Sequence, residues 1–262
     1  MNEINIKSEI GESWTEEAQY YDSYVSHGIQ TKEEKVLWTE AFYSILPEEK
    51  KLCILDVGCG TGAMGLLLAE MGHSVSGIDL SEGMMSVGRK KAEDLGCDMI
   101  FELGDAENPP FEMNSFDVII NRHLLWTLPH PDTALENWYR VLKPNGTLMI
   151  IDGLWNDGST ISELRKKLSG CLTHMFEKHP HGKHGYTEEM KQILPNINGV
   201  SENDARVYLK KAGFTNITVH NLIHIRDNQR SRQKWYENLN PKGTYYLISG
   251  IKPVCDASSG EL

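Results

Sequence analysis

Cysteine pairs, excess positive charge and long apolar runs are all scarce in this chain, and each shortage excludes something. The five cysteines (Cys53, Cys59, Cys97, Cys171 and Cys255) are odd in number, scattered and without a CxxC pair. Neither a disulfide framework nor a zinc knuckle is expected from them. Lysine and arginine total 26 against 37 aspartates and glutamates, a formal net charge of -11. Such a balance repels nucleic-acid phosphates and anionic lipid surfaces unless a local basic patch overrides it. No apolar stretch approaches the roughly 20 residues of a membrane span. The start MNEINIKSEIGESWTEE is polar and acidic where a secretory signal needs a basic and then an apolar segment. No repeat or low-complexity tract interrupts the pattern. The expectation is a cytoplasmic protein, monomer or homodimer, whose partner is a small molecule and neither nucleic acid nor membrane.

What is present is ordinary globular composition: 262 residues, 40% hydrophobic and 24% charged, enough for a core without staples. From residue 50 onward short apolar runs alternate with helix-length segments, the pattern of a parallel sheet covered on both faces. Strands are expected at 52–57, 74–79, 99–103, 116–121 and 147–152, with two more at 214–222 and 243–251. Between them, AMGLLLAEMG ends at Gly72, Ser81 opens a helix with Glu82 in its first turn, and Pro131 with Asp132 starts another that runs to Leu142. The KPNG at 143–146 reads as a turn, and a further helix spans 201–211.

Between Asp152 and Phe214 the chain holds about forty residues more than one crossover needs. The expected fold is therefore α/β: a Rossmann-like, seven-stranded, mostly parallel sheet with helices on both faces. To it are added a helical lid insertion after strand 5 and an N-terminal helical cap. By residue number, the cap takes 1–50, the core 51–152, the lid 153–200, the C-terminal completion of the sheet 201–255 and a flexible tail 256–262.

The chemistry concentrates where the first strand, ILDV, runs into Gly58-Cys59-Gly60-Thr61-Gly62 and then a helix. Glycines there let backbone approach a ligand where a Cβ would intrude, at the end of the sheet where open α/β folds bind. The run 60–65 also satisfies GxGxxG, with Asp79 closing the second strand, so a nicotinamide-dinucleotide reading stands beside others. Asp56, just ahead of the glycines, favours a ligand with an ammonium group over a pyrophosphate.

LDVGCGTG (55–62) resembles the first motif of class I S-adenosylmethionine-dependent methyltransferases, small-molecule branch. GIDLSEGMM (77–85), GDAENPPFEMNSFDVII (104–120) and RVLKPNGTLMIID (140–152) resemble their later motifs in order and spacing, and AQYYDSY (18–24) resembles a common cap segment. The resemblance implies S-adenosylmethionine as cofactor. It sets Gly58, Gly60 and Gly62 against the methionine moiety, Asp56 near its ammonium group, and Asp79 under both ribose hydroxyls. A carboxylate suits that last task because its two oxygens match a vicinal diol. Leu80 and Met84 or Met85 then pack near the adenine, Asp105 accepts from its amino group, and Ala106 offers a backbone N–H. Asn121 reaches the methionine or methyl end, and Tyr21 comes from the cap. Asp79 or Asp105 alone is more often a turn or cap residue; their joint occurrence in order favours the ligand roles.

His123, two residues beyond Asn121, is the candidate catalytic base, since an imidazole titrates near neutral pH; a histidine merely hydrogen-bonded in a loop fits equally well. Base catalysis typically supplies about 10² to 10⁴-fold, less than the roughly 7 to 11 kcal/mol available from alignment. Trp126 and Tyr20 or Tyr21 are possible walls of an acceptor pocket, or plain packing. His174, His179, His181 and His184 lie close enough in sequence to hold a transition metal, but Pro180 and Gly182 break any shared face and a solvated loop is favoured; no metal site is expected. RDNQRSRQK (226–234) reads as a solvated loop or the rim of a site for an anionic substrate. The expected activity is methyl transfer to an O, N or S atom of a small molecule. The alternatives are an NAD(P)-dependent oxidoreductase and a non-enzymatic metal-responsive or sensory module.

Overall fold

The computed structural model describes residues 3–156, 158–176 and 186–254. Seven strands form one sheet: β1 (Cys53–Val57), β2 (Ser74–Asp79), β3 (Met99–Leu103), β4 (Phe116–Arg122), β5 (Leu142–Asp152), β6 (Thr215–Asn221) and β7 (Tyr246–Ile251). Their order is β3-β2-β1-β4-β5-β7-β6. The first five pair in parallel, and β7 runs antiparallel to both β5 and β6. The expected α/β architecture, with its seven-stranded and mostly parallel sheet, is therefore observed.

Helices cover both faces because the central strands are apolar on both. On β5, Leu148 and Ile150 enter one core while Met149 and Ile151 enter the other, the two-residue period of a strand. Helix α5 (Pro131–Val141) closes the first core with Ala134, Leu135, Trp138 and Val141, spaced as one helical stripe. Helix α3 (Ala63–Glu70) closes the second with Met64, Leu67 and Leu68, together with Trp38 and Phe42 of α2 (Lys32–Tyr43). Helix α4 (Glu82–Leu95) starts as its sequence predicts, with the Ser81 hydroxyl accepting from the Met84 amide.

Before the sheet lies α1 (Glu3–Tyr21), which packs on α4; after β5 come α6 (Thr160–Phe176), α7 (Glu188–Ile193) and α8 (Glu202–Lys211). Two expectations need correction. The KPNG turn is absorbed into β5 as an irregularity: β4 pairs Phe116 with Leu142 and next Val118 with Thr147, and Asn145 takes a φ of 61 degrees to make the jump. The basic stretch read as a solvated loop or an anionic rim is not a loop over its first part, which contributes to α9 (Ile223–Ser231), whose Ile225 and Gln229 are buried. That helix has no side-chain cap, so nothing in its sequence announced it.

Candidate active site

β1 leads toward β2 and β3 on one side of the sheet, while β4 and β5 lie on the other. The crevice at this reversal, beyond the carboxyl ends of the strands, is where such sheets bind ligands. It holds a cavity of about 310 Å³. Of the residues singled out in the sequence, Tyr21, Gly58, Gly60, Asp79, Leu80, Met84, Asp105, Ala106 and His123 line it.

The glycine positions are explained by what a side chain would hit. At Gly58, with φ +65 degrees, a Cβ would lie 2.5 Å from Leu124 Cδ1; at Gly60, with φ +52 degrees, it would approach Met84 Cε at 3.3 Å, on the cavity side. Gly62 lines neither pocket. Its Cβ would lie 2.9 Å from the Phe101 ring, so its requirement is packing at the start of α3.

Asp79 is held at both oxygens: Oδ2 accepts from the Gly60 amide at 2.8 Å and Oδ1 from the Ser81 amide at 2.8 Å. Each oxygen keeps a lone pair for a ligand. Burial pushes its pKa up, and those backbone N–H groups oppose the shift. Asp56 opens instead on a small side pocket shared with Tyr21, Gly58, Gly60, Thr61 and Arg122. Its Oδ2 accepts from the Gly65 amide at 2.9 Å, and burial raises its pKa to about 7.

At the opposite end of the cavity, Asp105 receives an ion pair from Lys7 of α1 at 2.8 Å, and the same ammonium reaches Glu107 at 2.6 Å. Burial alone would lower the Lys7 pKa; hydrogen bonds to both carboxylates carry it above its ordinary value. Met84 faces the cavity while Met85 is fully buried beside Leu66 and Phe101, which divides that pair between ligand wall and core.

Asn121 does not line the cavity. Strand alternation sends it to the Ile119 face, where it is fully buried with Nδ2 and Oδ1 both lacking a partner. Arg122 and His123 reach the cavity in its place. His123 has a φ of 55 degrees, costly for a side chain of its size, and its amide donates to Ile151 O at 2.9 Å. Its ring meets Trp155 edge-on at 4.9 Å and lies 5.6 Å from Tyr245. Burial, with Arg122, His27 and Arg226 acting in the same direction, puts its pKa well below the usual histidine value. The imidazole is neutral, and Nε2 is buried without a partner.

Tyr21 stacks on His27 with ring centres 4.3 Å apart, whereas Tyr20 is largely exposed. Trp126 lines the cavity between Trp14 and Tyr186, at 6.0 and 5.5 Å. The sequence reading missed Lys7, His27, Arg122 and Trp155, whereas Arg226, within the stretch read as a solvated loop or an anionic rim, lines the cavity. Of the four missed, only Arg122 carried a signal, being next to His123 at the end of a predicted strand. Of the four clustered histidines, His174 falls in α6 and the other three lie outside the described residues. Among the described residues no three metal-binding side chains converge and no helix is long and apolar enough to cross a membrane.

Comparison with known proteins bears on the fold and on residues 55–150. The methyltransferase domain family model matches residues 55–150. A demethylmenaquinone methyltransferase of Listeria monocytogenes is 36% identical over 122 residues, covering 45% of this chain and 51% of that protein. One from Staphylococcus epidermidis is 34% identical over 138 residues, 52% and 56% of the two chains. The chain thus spans about half the length of the curated relatives it matches. Among solved structures, Haemonchus contortus phosphoethanolamine N-methyltransferase 2 in complex with S-adenosyl-L-methionine aligns with a TM-score of 0.63 at 19% identity, over 92% of this chain and 57% of that one. A Thermotoga maritima S-adenosylmethionine-dependent methyltransferase, described as a possible histamine N-methyltransferase, aligns at 0.58 and 19% identity over 93% and 99%. The seven-stranded fold is shared with these two methyltransferase structures.

Proposed function

We propose that the chain is an S-adenosylmethionine-dependent methyltransferase acting on an O, N or S atom of a small molecule. The observation that carries this reading is Asp79: a buried carboxylate fixed by two backbone amides, with a lone pair left on each oxygen, beside glycines whose Cβ atoms would obstruct a ligand or its supporting wall. A vicinal diol is the natural partner of such a group.

The donor set fits the rest of the cofactor. Asp56 and Arg122 share the side pocket next to Gly58 and Gly60, a carboxyl and a guanidinium that suit the ammonium and carboxylate of an amino acid. A pyrophosphate would meet the Asp56 carboxyl, which weighs against a nicotinamide dinucleotide. Asp105, Ala106, Leu80 and Met84 provide polar and apolar contacts for a purine. When bound, the cofactor supplies an electrophilic methyl group on a sulfonium.

The chain's own residues then position, dehydrate and accept a proton. Gly58 and Gly60 bring backbone close, Tyr21 and Trp126 exclude water, and alignment supplies most of the rate. His123, neutral and with Nε2 unsatisfied, takes the proton of a hydroxyl, thiol or ammonium acceptor. We read the segment before β1 as a cap and that between β5 and α8 as the acceptor side. In support, Tyr21 and His27 come from the first, and Trp155 and Ile197 from the second. A cytoplasmic setting and a monomeric or homodimeric state complete the proposal.

The test is methyl transfer from isotopically labelled S-adenosylmethionine to a panel of quinols, amines, thiols and organic acids, read by mass. A labelled product in one class is the expected result. Failure to bind the cofactor at all would reject the reading.

A further inference from the structure

The basic stretch of α9 and its following turn contains four arginines and lysines; three have partners that can be traced, and one stands apart. Arg230 donates to the carbonyls of Asn238 and Asn240 at 2.8 and 3.1 Å. Arg232 pairs with Glu34 at 2.6 Å. Lys234 lies over the Tyr236 ring. The Arg226 side chain has no ion pair or hydrogen bond among the described residues; its Nε is buried without a partner. Its neighbour Asp227 is engaged by Lys242 instead. The guanidinium lies 5.5 Å over the Tyr245 ring and forms part of the cavity wall.

A guanidinium cannot shed its charge by losing a proton at ordinary pH, and burying a cation without a counter-charge is expensive. Burial already pulls the Arg226 pKa down. Arg122 adds a second cation to the same end of the cavity: Nη2 donates to His27 O, and Nη1 is buried without a partner. The acids of the cavity, Asp79, Asp105 and Glu107, belong to the region assigned to the ribose and purine. The cavity is thus acidic where the nucleoside is proposed to lie and cationic around His123 and Trp155.

The geometry points to an acceptor that carries an anionic group, a carboxylate or a phosphate ester, received by Arg226 in the subsite walled by His123 and Trp155. This rests on the methyltransferase reading for the identity of the neighbouring ligand. Arg122, which opens on both the main cavity and the side pocket, is shared with the amino-acid end of the cofactor. Arg226 lines the main cavity alone and is the residue to test.

The experiment measures binding of benzoate, phenyl phosphate and the neutral isostere benzamide to the full chain, by calorimetry, with and without saturating S-adenosylhomocysteine. We expect at least one anion to bind about tenfold or more tightly than benzamide. That preference should vanish in Arg226→Gln, persist in part in Arg226→Lys, and leave the affinity for S-adenosylhomocysteine unchanged in both. The better of the two anions tells a carboxylate acceptor from a phosphorylated one. A thermal melt of Arg226→Gln should match or exceed the wild type, because an unpaired buried charge has been removed; Arg226→Lys carries the test if the glutamine variant does not fold. Equal binding of benzamide and both anions, or an undiminished preference in Arg226→Gln, would overturn the inference. So would a parallel loss of S-adenosylhomocysteine affinity, which would move Arg226 to the cofactor. Anion binding that depends on Arg226 in a chain that ignores S-adenosylhomocysteine would leave the subsite standing and remove the methyltransferase reading.

Discussion

The Gly60 amide donates a 2.8 Å hydrogen bond to Oδ2 of Asp79, joining the loop after β1 to the acid that ends β2. The backbone cradle and the carboxylate therefore keep their spacing whether or not a ligand is between them. β1 and β2 are adjacent parallel strands, in register from Cys53 with Ser74 to Val57 with Ile78, so the bond extends a ladder already set by the sheet.

Replacing Asp79 by alanine should weaken binding of S-adenosylmethionine by about 1.5 to 3 kcal/mol, the range for hydrogen bonds to a charged group. The sheet should remain folded, because its strand ladder is untouched and the Gly60 amide left behind lines the cavity, where it can be hydrated. Calorimetric titration checks this, and an unaltered dissociation constant would remove Asp79 from the ribose.

His123→Ala should lower turnover and spare cofactor affinity, since the ring lies against Trp155 and Tyr245 on the acceptor side. Because burial and nearby cations depress the pKa of His123, the imidazole remains a base as pH falls through the ordinary histidine range. Activity should therefore decline only at more acidic pH, and the variant's pH–rate profile should lack that limb. A wild-type limb at or above the usual histidine value would contradict this environment.

Asp56 gives a proton-linked signature. Its pKa in the folded chain is raised to about 7, so its contribution to stability is present at low pH and is lost as pH rises through about 7. An ammonium group placed beside it favours the carboxylate and releases the proton. Near pH 7, binding of S-adenosylmethionine should release about half a proton per chain, seen as a dependence of the calorimetric heat on buffer ionisation enthalpy. Asp56→Asn should abolish that component; a wild-type heat independent of buffer would argue against an ammonium at Asp56.

Glu34 ties the two ends of the chain together. The carboxylate is fully buried, accepting from Gln229 Nε2 at 2.7 Å and pairing with Arg232 at 2.6 Å, while the Gln30 amide donates to it at 3.2 Å. Glu34→Ala should cost about 3 kcal/mol in denaturant unfolding, chiefly because Arg232 loses its counter-charge and keeps only the neutral acceptors of Asn228. Changing both Glu34 and Arg232 to methionine should recover much of that loss. Equal stability of the single variant and the wild type would mean that water replaces the pair without cost.

The sheet was legible because its strands are short apolar runs buried on both faces and separated by helix signals that are local in sequence, such as Ser81 before α4 and Pro131 within α5. The acidic side of the cavity, proposed to take the nucleoside, was legible for a related reason: Gly58, Gly60, Asp79 and Asp105 each sit at or just beyond a strand terminus, where position along the chain fixes position in space. The cationic end was not. His27 and Trp155 arrive from segments distant in sequence, and although 226–234 read as a possible anionic rim, α9 forms without a cap that would have placed Arg226. Asn121 and Gly62 illustrate the opposite error, since both carry a motif letter yet are directed into packing by strand alternation and by the Phe101 ring.

A crystal structure of the full chain with S-adenosylhomocysteine tests the central claim most directly. The Asp79 carboxylate should lie within hydrogen-bond distance of both ribose hydroxyls, with the purine beside Asp105 and Ala106 and the amino-acid end next to Gly58, Gly60 and Arg122. A nucleoside found outside this cavity, or seated in it with Asp79 turned away from the sugar, would contradict the assignment.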